Sequence, residues 1–430
     1  MQKKTIGDML SESRRNEGLS FAELEDRTGV SRGVLQKIES GETKRPEFKT
    51  VKSIAALFPY PYEEIIEGYL EDETRSEMLF EILQEVIQCD HTSLVERVSL
   101  KFLQSPNEKI EKALERLYNF SDSTAVIVIN NEIRLALYKV IANYARQCGE
   151  PKYIAKALFQ KYLIERNDLK KLKETFCNGE EILHYVDFLS HDEKITFYYR
   201  MALHAHNIED YNKCIELGKT GHLEDKTSNT LKEQVALAIC NSYLFLGKHS
   251  NLEEHLNIYE ELKYTQIIKR LKFYRAIILS RTGKYSVAIP MLYQCVEEVT
   301  DSNRLHRVNM LLEALFKVND LDSISSLLGS EESKILLQYT DPYQYSELGR
   351  YYKYKGKFLV KRGCFDEGME AYLNSILHYA KINDYKSILQ CYNEIHSHHY
   401  THEKMIKLEL IGNLKEVYNE VYKESEARDE

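Results

Sequence analysis

A short N-terminal segment concentrates arginine, lysine and glutamine side chains on one face of a helical pattern. Arg32, Gln36 and Lys37 share this face, whereas Leu35 and Ile38 are spaced to point inward. Arginine and glutamine pair bidentately with guanine and adenine edges, and basic side chains just past such a helix bind phosphates. The candidate DNA-binding residues are Ser31, Arg32, Gln36, Lys37, Lys44 and Arg45.

Two short helices position this face. Ser20 and Glu23 form a capping box that starts the first helix, and Gly29 ends it. Ser31 starts the second helix after a turn of only a few residues. Two helices joined by such a turn make the helix-turn-helix geometry, which seats the second helix in the major groove of double-stranded DNA.

The run FAELEDRTGVSRGVLQKIESGETKRPEFKTVKSIAALF resembles the lambda-repressor-like helix-turn-helix family, including its Gly-Val-Ser turn and its Ile-Glu-Ser-Gly. The resemblance implies binding to operator DNA. It differs at Phe21, where that family usually has a glutamine that touches the DNA backbone. One backbone contact of the family is therefore not expected here.

Charge is distributed unevenly along the 430 residues. The formal net charge is -9, yet residues 1–58 hold eleven Lys and Arg against nine Asp and Glu. A weakly basic N-terminal segment, followed by an acidic remainder, is typical of a protein in which only the first domain contacts phosphate. With 43% hydrophobic and 29% charged residues, and only 7 prolines, the composition is that of a folded, helix-rich chain.

Several functional classes lack their sequence signals. No stretch approaches the 18 apolar residues of a membrane span, so we expect a cytoplasmic protein of a bacterial host. The eight cysteines are scattered without a C-x-x-C spacing, and no nucleotide-loop, metalloprotease or hydrolase motif occurs. We expect no enzyme activity, cofactor or metal. The histidine-rich HSHHYTH near residue 400 lacks supporting cysteine or carboxylate ligands.

Helical pairs repeat along the rest of the chain. In RLKFYRAIILSRTGKYSVAIPMLYQCVEEV, Gly283 separates two helical patterns. Gly247 occupies the same place in an upstream repeat, and Gly363 in a downstream repeat. Gly247 and Gly283 are 36 residues apart, the same step reaches Asn319, and a weaker unit surrounds Tyr211. This pattern resembles tetratricopeptide (TPR) repeats, which stack into a superhelix with a concave ligand-binding face.

Polar side chains of the first helices fall on the predicted inner face. An asparagine amide both donates and accepts, so a row of asparagines can hold a peptide backbone, and Arg270 can bind a carboxylate. Tyr199 and Arg350 are expected near the ends of this face. The candidate peptide-binding residues are Asn207, Gln234, Asn241, Arg270, His306 and Asn309.

The last segment carries an apolar stripe at helical spacing. Its members include Met405, Leu408 and Ile411, and Leu414, Tyr418 and Val421 are the candidate dimerisation residues. The stripe either caps the final repeat or joins two chains, since a helix-turn-helix head that reads paired half-sites needs a dimer. The sequence thus predicts an all-α protein with a helix-turn-helix domain at residues 1–70, a TPR-like superhelix at 71–403, and a capping or dimerisation helix at 404–430.

This organisation resembles the RRNPP group of peptide-sensing regulators of Gram-positive bacteria and their phages. Within it, CNSYLFLG and KGKFLVKRGCFDEGMEAYL are most similar to the arbitrium (AimR) receptor family, in which Asn241 looks like a ligand-contacting asparagine. The resemblance implies a homodimer that binds operator DNA and controls lysis and lysogeny. A short signal peptide of about six residues would reduce DNA binding.

Two alternatives remain open at this point. A host regulator of the NprR or PlcR type would be activated rather than silenced by its peptide. A Rap-like repeat protein would instead bind and inhibit a protein partner through helices near residues 78–150, with a vestigial head.

Overall fold

The structure is a computed structural model that describes residues 4–55, 57, 59–88, 91–123, 130–168, 171–299, 303–334 and 342–426, without the side chains of 342 and 420–426. All regular secondary structure in these residues is helical, which confirms the predicted all-α class. The chain forms two compact units, Met1–Leu246 and Gly247–Glu430. No helix in the described ranges is both long and apolar enough to cross a membrane.

The first unit begins with five short helices around a small apolar core. Leu10, Leu24, Leu35 and Ile54 are each at most 2% exposed in this core. The predicted capping box is present, because Ser20 Oγ accepts from the Glu23 amide and the Glu23 carboxylate accepts from the Ser20 amide. These helices are α1 (Ile6–Asn16), α2 (Phe21–Thr28), α3 (Arg32–Glu39), α4 (Phe48–Ala55) and α5 (Tyr62–Asp72).

The remainder of the first unit is a series of helices that pack mainly against their neighbours in the chain. Short 3-10 helices lie at Glu181–His184 and Val186–Phe188. Aromatic rings fill its seams; Phe159 and Phe197, for example, meet edge to face with ring centroids 6.3 Å apart. Its helices are α6 (Ser76–Gln88), α7 (Thr92–Leu103), α8 (Ile110–Ser121), α9 (Asn131–Cys148), α10 (Pro151–Glu165), α11 (Leu172–Glu180), α12 (His191–Asn207), α13 (Tyr211–Glu224) and α14 (Thr230–Phe245).

The second unit continues the helical pairs. Ala288 and Leu292 are fully buried between paired helices, as the repeat pattern predicts. The helices are α15 (His249–Glu261), α16 (Thr265–Arg281), α17 (Tyr285–Glu297), α18 (Arg304–Lys317), α19 (Leu321–Glu332), α20 (Pro342–Lys361), α21 (Phe365–Ala380), α22 (Tyr385–Thr401) and α23 (Leu408–Glu426).

Left-handed residues mark the turns of the pairs. Gly247, Gly283 and Gly363 have φ values of 66°, 81° and 91°, and Asn319 has φ 55° at the position that the 36-residue step predicts. Glycine adopts this conformation without steric cost, and asparagine tolerates it better than most residues. The repeat frame inferred from these four residues is therefore confirmed.

Candidate DNA-binding and ligand-binding sites

Helix α3 presents the polar face that the sequence predicts. Leu35 and Ile38 are 0% and 1% exposed, whereas Arg32, Gln36 and Lys37 lie on the exposed side. Lys44 and Arg45 are exposed in the segment that follows the helix. Ser31 occupies the N-cap position, but its hydroxyl makes no capping hydrogen bond and stays exposed.

The basic side chains of this face are held by nearby carboxylates. Arg32 Nε lies 3.0 Å from Glu25 on α2, and Lys37 Nζ lies 3.4 Å from Glu42. All four side chains are at least 38% exposed, so each pair is worth at most about 1 kcal/mol. Such weak pairs are readily exchanged for a stronger contact to a base or a phosphate.

Helix α3 is fixed on α1 by a half-buried ion pair and by close backbone packing. Arg14 donates two hydrogen bonds of 2.7 Å to the Glu39 carboxylate, and its guanidinium lies 4.5 Å from the centre of the Phe21 ring. The two bonds lower the pKa of Glu39. A Cβ on Gly7 would lie 2.6 Å from the Ile38 carbonyl oxygen, so only glycine permits this approach. The orientation of the exposed face is therefore set by buried contacts.

In the first unit, the candidate ligand residues lie on two helices that pack against each other. Gln234 is exposed and Asn241 half-buried on α14, and their seven-residue spacing puts both on one face. Asn207 is exposed at the C-terminal end of α12. Tyr199 is expected near one end of the inner face, but its side chain is buried. It is 0% exposed, and its hydroxyl donates to Asp225 at 3.0 Å.

In the second unit, His306, Asn309 and Arg350 converge on the buried carboxylate of Glu347. Asn309 Nδ2 donates to Glu347 Oε2 at 2.8 Å, His306 Nδ1 lies 3.0 Å from Oε1, and Arg350 Nη1 lies 3.8 Å from the same oxygen. Sequence reasoning missed Glu347, because its partners on α18 are about 40 residues away in the chain. We name these four residues the Glu347 cluster.

The Glu347 cluster is electrostatically tight. Burial alone would raise the pKa of Glu347, but the hydrogen bond and charge of His306, the charge of Arg350 and the bond from Asn309 lower it to about 2. Contrary to the expectation of an open inner face, Asn309 is 0% exposed, because its amide is drawn to the carboxylate. Asn309 Oδ1 is buried and has no hydrogen-bond partner within the described part of the chain.

Arg270 stands apart from the Glu347 cluster. Its Nη1 donates to the carbonyl and the side-chain oxygen of Gln266, one turn earlier on α16, at 3.1 and 3.0 Å. Bonds within one helix leave a half-buried guanidinium able to turn towards a carboxylate ligand. The structure thus brings His306, Asn309 and Arg350 together, but not Arg270.

The C-terminal helix α23 has two apolar faces rather than one stripe. Leu410 and Val417 are 8% and 5% exposed, and Leu414 packs against the same core of α21 and α22. Leu414 therefore caps the last repeats, which is one of the two roles that the sequence left open. Leu408, Ile411 and Tyr418 are 89%, 52% and 61% exposed. The side chain of Val421 lies outside the described residues.

His398, His399 and His402 contact the aromatic rings of Tyr372 and Phe365, whereas His396 is exposed. Tyr372 donates to Glu394 at 2.8 Å and lies 3.1 Å from His398 Nε2, and Phe365 meets the His399 ring edge to face. Within the described ranges, no group of three or more histidine, cysteine or acidic residues is arranged to hold a metal ion.

Comparison with known proteins identifies the first five helices. Residues 7–71 match the family described as "Helix-turn-helix domain". The N-terminal part of this chain is a helix-turn-helix domain. A curated relative, the uncharacterized HTH-type transcriptional regulator RghRB of Bacillus subtilis strain 168, is 25% identical over 123 residues, which are 27% of this chain and 88% of that protein.

Solved structures with distant similarity cover most of the chain. The match to a Rap protein complexed with competence and sporulation factor covers 80% of this chain and 100% of that protein, at 10% identity and TM-score 0.38. AimR, solved as SeMet-phAimR, covers 95% and 99% at 14% identity and TM-score 0.34. Bacillus thuringiensis PlcR, in complex with the peptide PapR7 and DNA, covers 92% and 99% at 14% identity and TM-score 0.23.

A buried polar cluster closes the helix-turn-helix domain at its C-terminal end. Tyr69 donates to the Pro46 carbonyl at 2.6 Å, and Arg75 donates to the fully buried carboxylate of Glu73 at 2.6 Å. Burial raises the pKa of Glu73, but the hydrogen bonds and charge of Arg75 and the bond from the Thr74 amide together lower it below its ordinary value. Since Arg75 also donates to the Arg45 carbonyl, this cluster fixes the backbone that carries the phosphate-binding candidates.

Proposed function

We propose that this protein is a DNA-binding transcription regulator whose helical repeats respond to a short peptide. The observation that carries the DNA-binding part is the exposed face of Arg32, Gln36 and Lys37, seated on the buried Leu35 and Ile38. In the helix-turn-helix domain, this helix enters the major groove and its side chains contact base edges. Selection of bound duplexes from a random-sequence pool tests the proposal: we expect enrichment of a defined site, and an unenriched pool would contradict it.

The peptide is the proposed input. In the first unit, Gln234 and Asn241 carry amides on one face of α14 that match the donors and acceptors of a peptide backbone. Within the second unit, Arg270 offers a cation and Asn309 Oδ1 is a buried acceptor. Access to Asn309 requires movement of Glu347, so a ligand that reaches it would also alter the packing of α18 against α20. A ligand shifts the DNA-bound state only by its preference for one of the two packings.

The resemblance of CNSYLFLG to the arbitrium receptors supports a more specific ligand. The ligand is then a signal peptide of about six residues, and its binding reduces operator binding in a decision between lysis and lysogeny. Asn241 is the residue that carries this resemblance, and its half-buried amide on α14 is compatible with ligand contact.

Substitution of Asn241 tests the peptide site. We expect Asn241→Ala together with Gln234→Ala to weaken binding of a hexapeptide, obtained by affinity selection on the wild-type protein, about tenfold, because two hydrogen bonds of about 0.5–1.5 kcal/mol are lost. Calorimetry measures the affinities. Asn251→Ala, at an exposed position on α15, is the matched control and should bind normally. Wild-type affinity in the Asn241 variant would mean that the peptide binds elsewhere.

The proposed dimer uses the exposed face of α23. Replacing Leu408 and Ile411 by aspartate should convert the dimer to a folded monomer, because two charges would be buried without partners in an apolar interface. Light scattering measures the mass. Leu414→Asp, on the packed face, is the contrast: it should lower the melting temperature. A dimer of undiminished mass after the double substitution would place the interface elsewhere.

A further inference from the structure

Two arginines lie in the seam between α10 and α12, next to a buried tyrosine–histidine contact. Tyr162 and Arg166 are four residues apart at the end of α10, and Arg200 and His204 are four residues apart on α12, so each pair shares a helix face. Tyr162 Oη lies 3.1 Å from His204 Nδ1, and His204 Nε2 lies 2.8 Å from the Leu172 carbonyl oxygen. Both nitrogens of His204 therefore have hydrogen-bond partners, and these two contacts fix the orientation of the ring beside the arginines.

The register of the two helices places the arginines across this contact. Side-chain contacts rise together in residue number, from Lys156 with Glu193 at 3.8 Å to Tyr162 with His204, so α10 and α12 run parallel. Tyr162 also meets Phe197, with ring centroids 6.3 Å apart, so it lies between Phe197 and His204 along α12, at the level of Arg200. Arg166, one helical turn further along, lies at the level of His204, so the two arginines are on adjacent turns beside the Tyr162–His204 contact.

Neither arginine has an ion-pair partner among the described residues. Arg166 Nε is buried and makes no hydrogen bond there. Burial, and to a smaller extent the nearby charge of Arg166, lower the pKa of Arg200. Other half-buried arginines are paired; Arg14, for example, binds Glu39, and Arg304 binds Glu331 at 2.8 Å. The dipole of α10 favours Arg166 at its C-terminal end, but Arg200, in the middle of α12, has no such compensation.

We propose that Arg166 and Arg200 form a binding site for an oxyanion, the carboxylate or phosphate group of a small ligand. Guanidinium groups match the geometry of both anions and bind them bidentately. An anion between the arginines removes their mutual repulsion and satisfies the buried Arg166 Nε. The site belongs to the first unit alone and depends neither on the proposed peptide contacts of Asn241 nor on DNA binding.

Thermal unfolding of the full chain in increasing inorganic phosphate, at constant ionic strength set with sodium chloride, tests this site. We expect the wild-type melting temperature to rise by at least about 2 °C, because a ligand that binds only the folded state stabilises it. Arg166→Gln and Arg200→Gln should abolish the rise. Arg275→Gln, which removes an arginine paired with Glu253 and Glu260, is the matched control and should retain it.

Two further measurements separate the site from a general effect of salt or of misfolding. Without added anion, Arg200→Gln should melt no lower than the wild type, because one of two repelling charges is removed. Arg200→Lys should retain part of the phosphate response, since the charge persists without the bidentate geometry. An equal phosphate response in all variants would overturn the proposal, and so would a lower melting temperature of Arg200→Gln without added anion.

The source of the anion is resolved with trialanine and its C-terminal amide. A response to trialanine but not to the amide, lost in both arginine variants, would support the proposal with a peptide carboxylate as ligand. A response to phosphate alone would support it with a phosphate group as ligand. If the wild-type protein responds to none of the three probes, the site does not exist, whatever the outcome for DNA binding.

Discussion

Replacing Glu347 by glutamine will lower the free energy of unfolding by about 3 kcal/mol, because it removes the buried negative charge that His306, Asn309 and Arg350 contact. Glu347 is 5% exposed and is contacted by His306, Asn309 and Arg350. The substitution preserves the shape of the side chain, so the loss reports charge rather than packing. Urea-induced unfolding at neutral pH measures it.

The same substitution has a pH signature of known sign. The pKa of Glu347 in the folded protein, about 2, lies below its ordinary value of 4.5. Its contribution is therefore fully present above about pH 4.5 and is lost as the pH falls towards 2. We expect the stability difference between the wild type and Glu347→Gln to shrink across this range.

A surface carboxylate provides the control for Glu347. Glu332 pairs with Lys355 but is 62% exposed, so Glu332→Gln should cost less than about 1 kcal/mol. If Glu347→Gln costs no more than Glu332→Gln, or if its effect does not depend on pH below 4.5, the Glu347 cluster does not stabilise the fold.

Replacing Arg32 and Gln36 by alanine will reduce discrimination between the selected DNA site and unrelated duplexes by roughly a hundredfold. Each bidentate contact to a base is worth about 1–3 kcal/mol, and both side chains are exposed on the face of α3. The variant should fold normally, because Leu35, Ile38 and the bonds between Arg14 and Glu39 are untouched. Gel-shift titrations of the two duplexes measure the ratio.

Lys44→Ala is the matched contrast for the base-reading residues. Because Lys44 is expected to contact phosphate, its loss should weaken binding to all sequences similarly and reduce the salt dependence by about one ion. If the Arg32 and Gln36 double variant discriminates between the selected and unrelated duplexes as well as the wild type does, α3 is not the helix that reads the sequence, even if DNA binding persists.

Local patterns predicted the parts of this structure that depend on neighbours in the chain. The orientation of α3 follows from the three-residue spacing of Leu35 and Ile38, and the turns follow from residues that tolerate positive φ, including Asn319. The family difference at Phe21 also has a physical explanation: its ring supports the guanidinium of Arg14. Spacing and conformational preference alone predict the orientation of α3 and the positions of these turns.

Contacts between distant segments could not be read from the same patterns. Asn309 has the spacing of a groove residue, yet Glu347, 38 positions later, draws its amide into the interior. Tyr199 is likewise committed to Asp225, 26 positions away. On α23, the apolar residues are too numerous to define one face, so only packing against α21 and α22 separates Leu414 from the exposed Ile411. Tertiary pairing decided each of these positions.

The ratio of specific to non-specific DNA affinity tests the central claim most directly. The wild-type full chain is titrated at physiological salt against the duplex recovered from the random pool and against a scrambled duplex of equal length and composition. A sequence-reading helix-turn-helix domain should bind the selected duplex at least about a thousandfold more tightly. A ratio near one, or no binding to either duplex, would contradict the assignment of this protein as a DNA-binding regulator.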